Sequence, residues 1–182
     1  MVKVALIDRD GVLNRDSVAY IKSAAELEVF PFAREAVATF RRAGWFVYVV
    51  SNQSAVARGL TTTAALDEIT ARLEAEAGPF DGVFYCYHHP DDGCDCRKPN
   101  TGLIKRALAD AARQAGEPVE VCWMIGDTFK TDIVAGVRSG CKTALVLTGS
   151  VTAEEAEWLA PAPDLVGDDI LAIARAITAE PG

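Results

Sequence analysis

The chain has 182 residues, of which 50% are hydrophobic and 24% charged, and its formal net charge is −8. That length and composition suit one globular domain, able to bury roughly 70% of its unfolded surface without disulfides. The acidic balance argues against a nucleic-acid protein, which carries a basic face, and against binding to an anionic membrane. It leaves room for a small anionic substrate, because a local cluster of cations outweighs a global charge.

Val2–Ile7 reads as a buried strand, and residues 32–42 as a helix closed by Gly44 at the position that favours a left-handed residue. Residues 45–50, Trp-Phe-Val-Tyr-Val-Val, are aromatic and β-branched throughout, as in a central strand. The segment 62–77 is a helix with Leu66, Ile69 and Leu73 on its core stripe, stopped by Gly78-Pro79. A short strand at 82–85 precedes a polar, irregular stretch, 85–100. A helix is expected over 101–115, a strand over 121–125, a helix over 131–139 and a strand over 143–147. Helices at 153–159 and 168–177, with a strand at 164–166 between them, close the chain.

Strands alternating with helices predict an α/β fold with a mainly parallel sheet covered by helices on both faces. Nothing in the pattern splits the chain, so residues 1–182 are expected to form a single domain. The longest apolar run is the six residues 45–50, against about 20 for a membrane span. The N-terminus runs into charge without a signal-peptide core, so a cytoplasmic protein with no membrane and no nucleic-acid partner is expected. A monomer is the default.

In open parallel sheets, ligands sit beyond the carboxyl ends of the strands. Asp8-Arg9-Asp10-Gly11 follows the first strand, Ser51-Asn52-Gln53-Ser54 the second, and Gly126-Asp127-Thr128 the one at 121–125, with Asp132 close behind. A turn at Gly11 lets Asp8 and Asp10 curl toward one pocket. Carboxylates this close repel unless a cation lies among them, and carboxylate with water is the ligand set that Mg²⁺ prefers beside phosphates. A carboxylate is also a nucleophile toward phosphorus. The two histidines, His88 and His89, are both in the irregular stretch, so proton transfer falls to a carboxylate or a lysine. A lone Asp after a strand is more often a cap or turn residue; the conjunction of strand ends is what carries weight.

The irregular stretch reads Cys86-Tyr87-His88-His89-Pro90-Asp91-Asp92-Gly93-Cys94-Asp95-Cys96. Three thiols and an imidazole, Cys86, His88, Cys94 and Cys96, make a closed tetrahedral set for a structural Zn²⁺, with His89 the other candidate imidazole. Free thiols, or a Cys94–Cys96 redox pair, are the alternatives. Arg97 and Lys98 follow the last ligand at once, so a metal knuckle at 86–96 would fix two cations beside a phosphate site. Cys122, Cys141, Trp45 and Trp123 read as core, and Glu154, Glu155 and Glu157 as a solvated face.

Asp8-Arg9-Asp10-Gly11-Val12, Ser51-Asn52-Gln53, Lys98 and Gly126-Asp127-x₄-Asp132 resemble, in order and spacing, the four motifs of the haloacid-dehalogenase-like superfamily over almost the whole chain. The resemblance implies a Rossmann-like three-layer sandwich and a Mg²⁺-dependent phosphoric monoester hydrolase; nothing in the chain resembles a large inserted cap domain, so a minimal cap is expected. By motif, Asp8 is the nucleophile and Asp10 the acid and base. Ser51 and Lys98 hold the phosphoryl group, with Asn52 beside them. Asp8, Asp127 and the main-chain carbonyl of Asp10 bind Mg²⁺, and Asp132 orients Lys98 or a metal-bound water. The second Asp favours phosphatase over dehalogenase chemistry.

Cys-x-His-x₅-Cys-x-Cys-Arg-Lys-Pro after Asp-Arg-Asp-Gly resembles the D-glycero-D-manno-heptose 1,7-bisphosphate phosphatases and the related histidinol-phosphate phosphatases. Asn14, Asp16, Tyr20-Ile21 and Ala57-Arg58-Gly59 look more like the heptose branch. That branch implies a sugar bisphosphate substrate, a small phosphorylated metabolite of carbohydrate metabolism, with Arg58 and Arg97 on the distal phosphate or the sugar. Histidinol phosphate and a non-catalytic zinc-stabilised binding module are the rival readings. Ala55 and Tyr87 depart from the family pattern near the expected site.

Overall fold

A computed structural model describes residues 1–149 and 151–179. Six strands form one parallel sheet: β1 (Val2–Ile7), β2 (Trp45–Asn52), β3 (Gly82–Cys86), β4 (Val119–Gly126), β5 (Lys142–Val146) and β6 (Leu165–Gly167). The helices are α1 (Ala33–Arg42), α2 (Thr63–Ala77), α3 (Gly102–Ala115), α4 (Val134–Arg138), α5 (Ala153–Ala156) and α6 (Ile170–Ala179). The sheet order is β3-β2-β1-β4-β5-β6, and every pairing is parallel.

Parallel strands have both faces covered, so successive side chains must both be apolar. In β1, Ala5 and Ile7 enter one core with Phe40, Leu66, Ile69 and Ile173, residues of α1, α2 and α6. Val4 and Leu6 enter the other, with Leu103, Ile104, Ala107 and Ala111 of α3. The chain runs β1 to β2 to β3 in one direction, then crosses to β4, β5 and β6 in the other. Right-handed crossovers put successive helices on opposite faces when that direction reverses. The reversal opens a crevice at the carboxyl ends of β1, β2 and β4, the place where doubly wound sheets bind ligands.

The expected strands and helices are found, with shifts that have local causes. β2 runs on through Ser51 and Asn52, because β3 continues beside it to Cys86. The helix expected over 131–139 begins instead as a π-helical turn at Phe129–Ile133 before α4. Its Asp132 carboxylate accepts the Thr128 backbone N–H at 3.1 Å. The helix expected over 153–159 stops at Ala156, where the Trp158 N–H turns to the Glu155 carbonyl at 3.1 Å and tightens the last turn. Glu155 is not merely a solvated acid: with Thr152 it forms a capping box. The segment 15–30 holds a single turn at Ala24–Glu26 and is pinned by bridges from Asn14 to Asp10 and to Val29. Among the described residues, no helix is long and apolar enough to cross a membrane.

Candidate active site

A cleft of about 350 Å³ opens at the carboxyl edge of the sheet, lined by Asp8, Asp10, Ser51, Asn52, Gln53, Arg97, Asp127, Thr128 and Thr131, with Asp16, Ser17, Val18, Tyr20 and Ile21 from the 15–30 segment. A larger cavity of about 450 Å³ lies against the outside of the cysteine loop, lined by Lys105 and Arg138, and holds none of the strand-end acids at 8, 10 and 127.

Carboxyl oxygens of Asp8, Asp127 and Asp132 lie within 4.8 Å of one another. Gly11 makes this possible: its φ is +79°, and a Cβ there would collide with the Asp127 carboxylate. Lys98 is 1% exposed and places Nζ 3.1 Å from Asp8 Oδ1, 2.7 Å from Asp132 Oδ1 and 2.7 Å from the Val50 carbonyl, to which it donates. One cation cannot balance three buried acids. Burial pushes the Asp127 carboxyl up to about 8, and the charges of Asp8 and Asp132 add to the rise. Burial likewise raises Asp8 to about 6, against the opposing pull of Lys98. An all-oxygen donor set that holds protons for want of positive charge fits a hard divalent cation such as Mg²⁺.

Asp10 is handled differently. Arg9, itself 1% exposed, grips both its oxygens, with Nε 3.0 Å from Oδ1 and Nη2 2.9 Å from Oδ2. Asn14 Nδ2 donates to Oδ1 at 2.9 Å and Gln53 Nε2 to Oδ2 at 2.8 Å. The Arg9 guanidinium also lies 5.7 Å over the Tyr85 ring. No role is expected for Arg9 or Gln53 from the sequence, and Asn14 stands there only among the residues that look like the heptose branch. The available signal was an arginine between two acids at a strand end, where only a paired arginine can be buried.

Ser51 and Arg97 line the cleft, and the Ser51 hydroxyl accepts from Gln53 Nε2 at 3.1 Å. Asn52 lines it too, but its amide is engaged with the backbone of Lys98: Nδ2 donates to the Lys98 carbonyl and Oδ1 accepts the Lys98 N–H, both at 3.0 Å. Arg58 is exposed and stands outside the cleft lining, 5.9 Å over the ring of Tyr20, which does line it. Ala55 and Tyr87 do not line the cleft. Cys141 is buried in the same core as half-buried Cys122, away from the cleft.

The cysteine loop folds back on itself. Cys86 Sγ lies 3.3 Å from Cys96 Sγ and 3.7 Å from Cys94 Sγ, and Cys94 and Cys96 are 3.6 Å apart. His88 Nδ1 stands 3.6 Å from Cys86 Sγ and 3.2 Å from Cys96 Sγ. A tetrahedron built on Zn–S bonds of ~2.3 Å has edges of ~3.8 Å, so the four atoms fit around one ion. His89 faces away and caps the turn Pro90–Asp92 through Asp91 N–H. Burial, with the neighbouring Cys96 thiol, pushes Cys86 up to about 12; only a cation would draw three thiolates together here.

A protein-family model described as "HAD-hyrolase-like" matches residues 95–173. The D-glycero-beta-D-manno-heptose-1,7-bisphosphate 7-phosphatase of Pseudomonas putida is 41% identical over 96% of this chain and 98% of its own. The enzyme of the same name from Bordetella bronchiseptica is 36% identical over 98% and 99%. The crystal structure of the D,D-heptose 1,7-bisphosphate phosphatase from B. bronchiseptica, complexed with magnesium and phosphate, superposes with a TM-score of 0.80. It is 35% identical and covers 97% of this chain and 98% of that one. With its strand-end acids in one crevice and 41% identity to a relative along nearly the full length of both chains, this chain belongs to the D-glycero-D-manno-heptose-1,7-bisphosphate 7-phosphatase family of haloacid-dehalogenase-like hydrolases.

Proposed function

We propose that the chain is a Mg²⁺-dependent phosphatase that removes the 7-phosphate of D-glycero-D-manno-heptose 1,7-bisphosphate through an aspartyl-phosphate on Asp8. The observation that carries this reading is the meeting of Asp8, Asp127, Asp132 and Lys98 beside Ser51 in one cleft. Asp8 Oδ1 is held by Lys98 and by the Arg9 backbone N–H, at 3.1 and 2.7 Å. That leaves Oδ2 to attack phosphorus in line with the leaving oxygen. Lys98 and Ser51 steady the phosphoryl oxygens. Asp10 gives its proton to the leaving alkoxide as the P–O bond breaks, and then takes a proton from the water that releases phosphate from Asp8.

Mg²⁺, held by Asp8, Asp127 and the Asp10 main-chain carbonyl, supplies positive charge that offsets the phosphate and the acids. Asp132 holds Lys98 in place. Arg97, in the cleft wall, is the cation for the distal phosphate or the sugar. Arg58 acts on that end of the substrate through Tyr20, on which it lies. The Cys86, His88, Cys94, Cys96 cluster is a structural zinc site: four protein ligands leave no open position for chemistry. Reduced thiols in such a cluster suit a cytoplasmic enzyme acting on a small phosphorylated metabolite.

The test is phosphate release with Mg²⁺ from both anomers of the heptose bisphosphate and from histidinol phosphate. A kcat/KM at least tenfold higher for one bisphosphate anomer supports the reading. A preference for histidinol phosphate moves the chain to the other branch and removes the distal role of Arg97.

A further inference from the structure

As a carboxylate, Asp10 offers about four acceptor sites, and four donors fill them: two from Arg9, one from Asn14 and one from Gln53. The donors are not equivalent. Gln53 lines the cleft, whereas Arg9 and Asn14 do not. Gln53 Nε2 also lies 3.1 Å from Ser51 Oγ, so one amide nitrogen bridges the carboxyl of Asp10 and the hydroxyl of Ser51. The Gln53 backbone N–H donates to the Cys86 carbonyl at 2.7 Å, and the residue is only 4% exposed. The backbone of Gln53 is thus tied to the end of β3, and its side-chain nitrogen to Asp10 and Ser51.

We infer that Gln53 is a positioning residue that sets the distance between the proton carrier and the phosphoryl group under attack. This rests on the reading of Asp10 as that carrier and of Ser51 as a phosphoryl-holding group. Arg9 and Asn14 hold Asp10 from the side away from the cleft. The acceptor site that faces the leaving oxygen is the one Gln53 occupies, on Oδ2. When Oδ2 carries the proton, it turns from Gln53 to the leaving alkoxide. The P–O ester bond breaks as the Asp8–phosphorus bond forms, and the proton passes from Oδ2 to the departing oxygen. The resulting carboxylate returns to the Gln53 amide, in place to draw a proton from water in the second step. A carboxyl that must reach the same point twice per turnover gains from a fixed stop, since an ångström of misplacement can cost about a hundredfold in rate.

General-acid help matters most where the leaving group is a poor one. The readout is therefore the ratio of kcat/KM for benzyl phosphate, with its basic alkoxide, to that for 4-nitrophenyl phosphate, which leaves well unaided. kcat/KM reports only steps through formation of the phosphoryl-enzyme. Gln53→Met keeps the volume and removes the donor. It is expected to lower the ratio by ~10–100-fold, and Asp10→Asn by at least as much, as general-acid contributions of 10²–10⁴ imply. Gln53→Glu keeps the shape and faces Asp10 with a carboxylate in place of the amide donor; it is expected to lower the ratio too, and it carries the test if Gln53→Met does not fold. A merely structural Gln53 would slow both esters equally. A wild-type ratio in the Gln53 variants beside a collapsed ratio in Asp10→Asn overturns the positioning role alone. An unchanged ratio in Asp10→Asn overturns the reading of Asp10 itself.

Discussion

At the scale of single residues, the site is a set of acids placed where water does not stabilise them. Asp127, raised to about 8, and Asp8, raised to about 6, keep protons in the folded chain that they would shed in the unfolded one near 3.8. Between about pH 4 and pH 8 the metal-free native state therefore binds more protons, and its stability falls as pH rises through that window. Lys98, whose charge is favoured by Asp132 and Asp8 despite its burial, stays protonated throughout and does not reverse the trend. Thermal unfolding of the zinc-loaded protein in Mg²⁺-free buffer should show a lower midpoint at pH 8.5 than at pH 6. Mg²⁺ should restore several degrees at pH 8.5 and less at pH 6, where protons compete with it. A midpoint that rises with pH at constant zinc content without Mg²⁺ would contradict this placement of the acids. Asp8, Asp127, Ser51 and Lys98 were legible because each follows a strand or a metal-type loop. Gln53 was not, because its contact with Asp10 spans 43 positions and is set by the chain's return; Arg9 left a signal in its place between two acids at a strand end.

At the scale of elements, the cysteine loop and the π-helical turn do the positioning. The loop has almost no apolar side chain to bury, and the proposed zinc would hold its shape; structural zinc is worth ~10–16 kcal/mol in small peptides. Its last thiol is two residues before Lys98, and Asn52 clasps the Lys98 backbone from the end of β2. Cys96→Ser should lower bound zinc well below one per chain, lower the melting temperature and cut kcat/KM at least tenfold through displaced Arg97 and Lys98. Unchanged metal content would remove Cys96 from the ligand set. The meeting of the three thiols was legible from their spacing; the spacing left both histidines open, and the fold brings His88 to the cluster. The π-helical turn was not: residues 129–133 have an ordinary helical composition. What widens the turn is the tertiary demand that Asp132 face Lys98 beneath Gly126, where any Cβ would meet it.

At the scale of the whole molecule, alternation of apolar strands with amphipathic helices was enough to foresee a parallel three-layer sandwich. The strand order was not, since spacing along the chain does not say on which side of β1 the fourth strand lies. That order decides function here: by flanking β1 with β2 and β4, the sheet gathers Asp8, Ser51 and Asp127 at one edge. Under the proposed function, Asp8 at this edge attacks phosphorus. Mg²⁺-dependent phosphate release from D-glycero-D-manno-heptose 1,7-bisphosphate by wild-type and Asp8→Asn proteins of equal zinc content and melting behaviour decides it. A neutral amide is a poor nucleophile, so kcat should fall by more than about a thousandfold. Turnover by Asp8→Asn within tenfold of wild type would contradict the account.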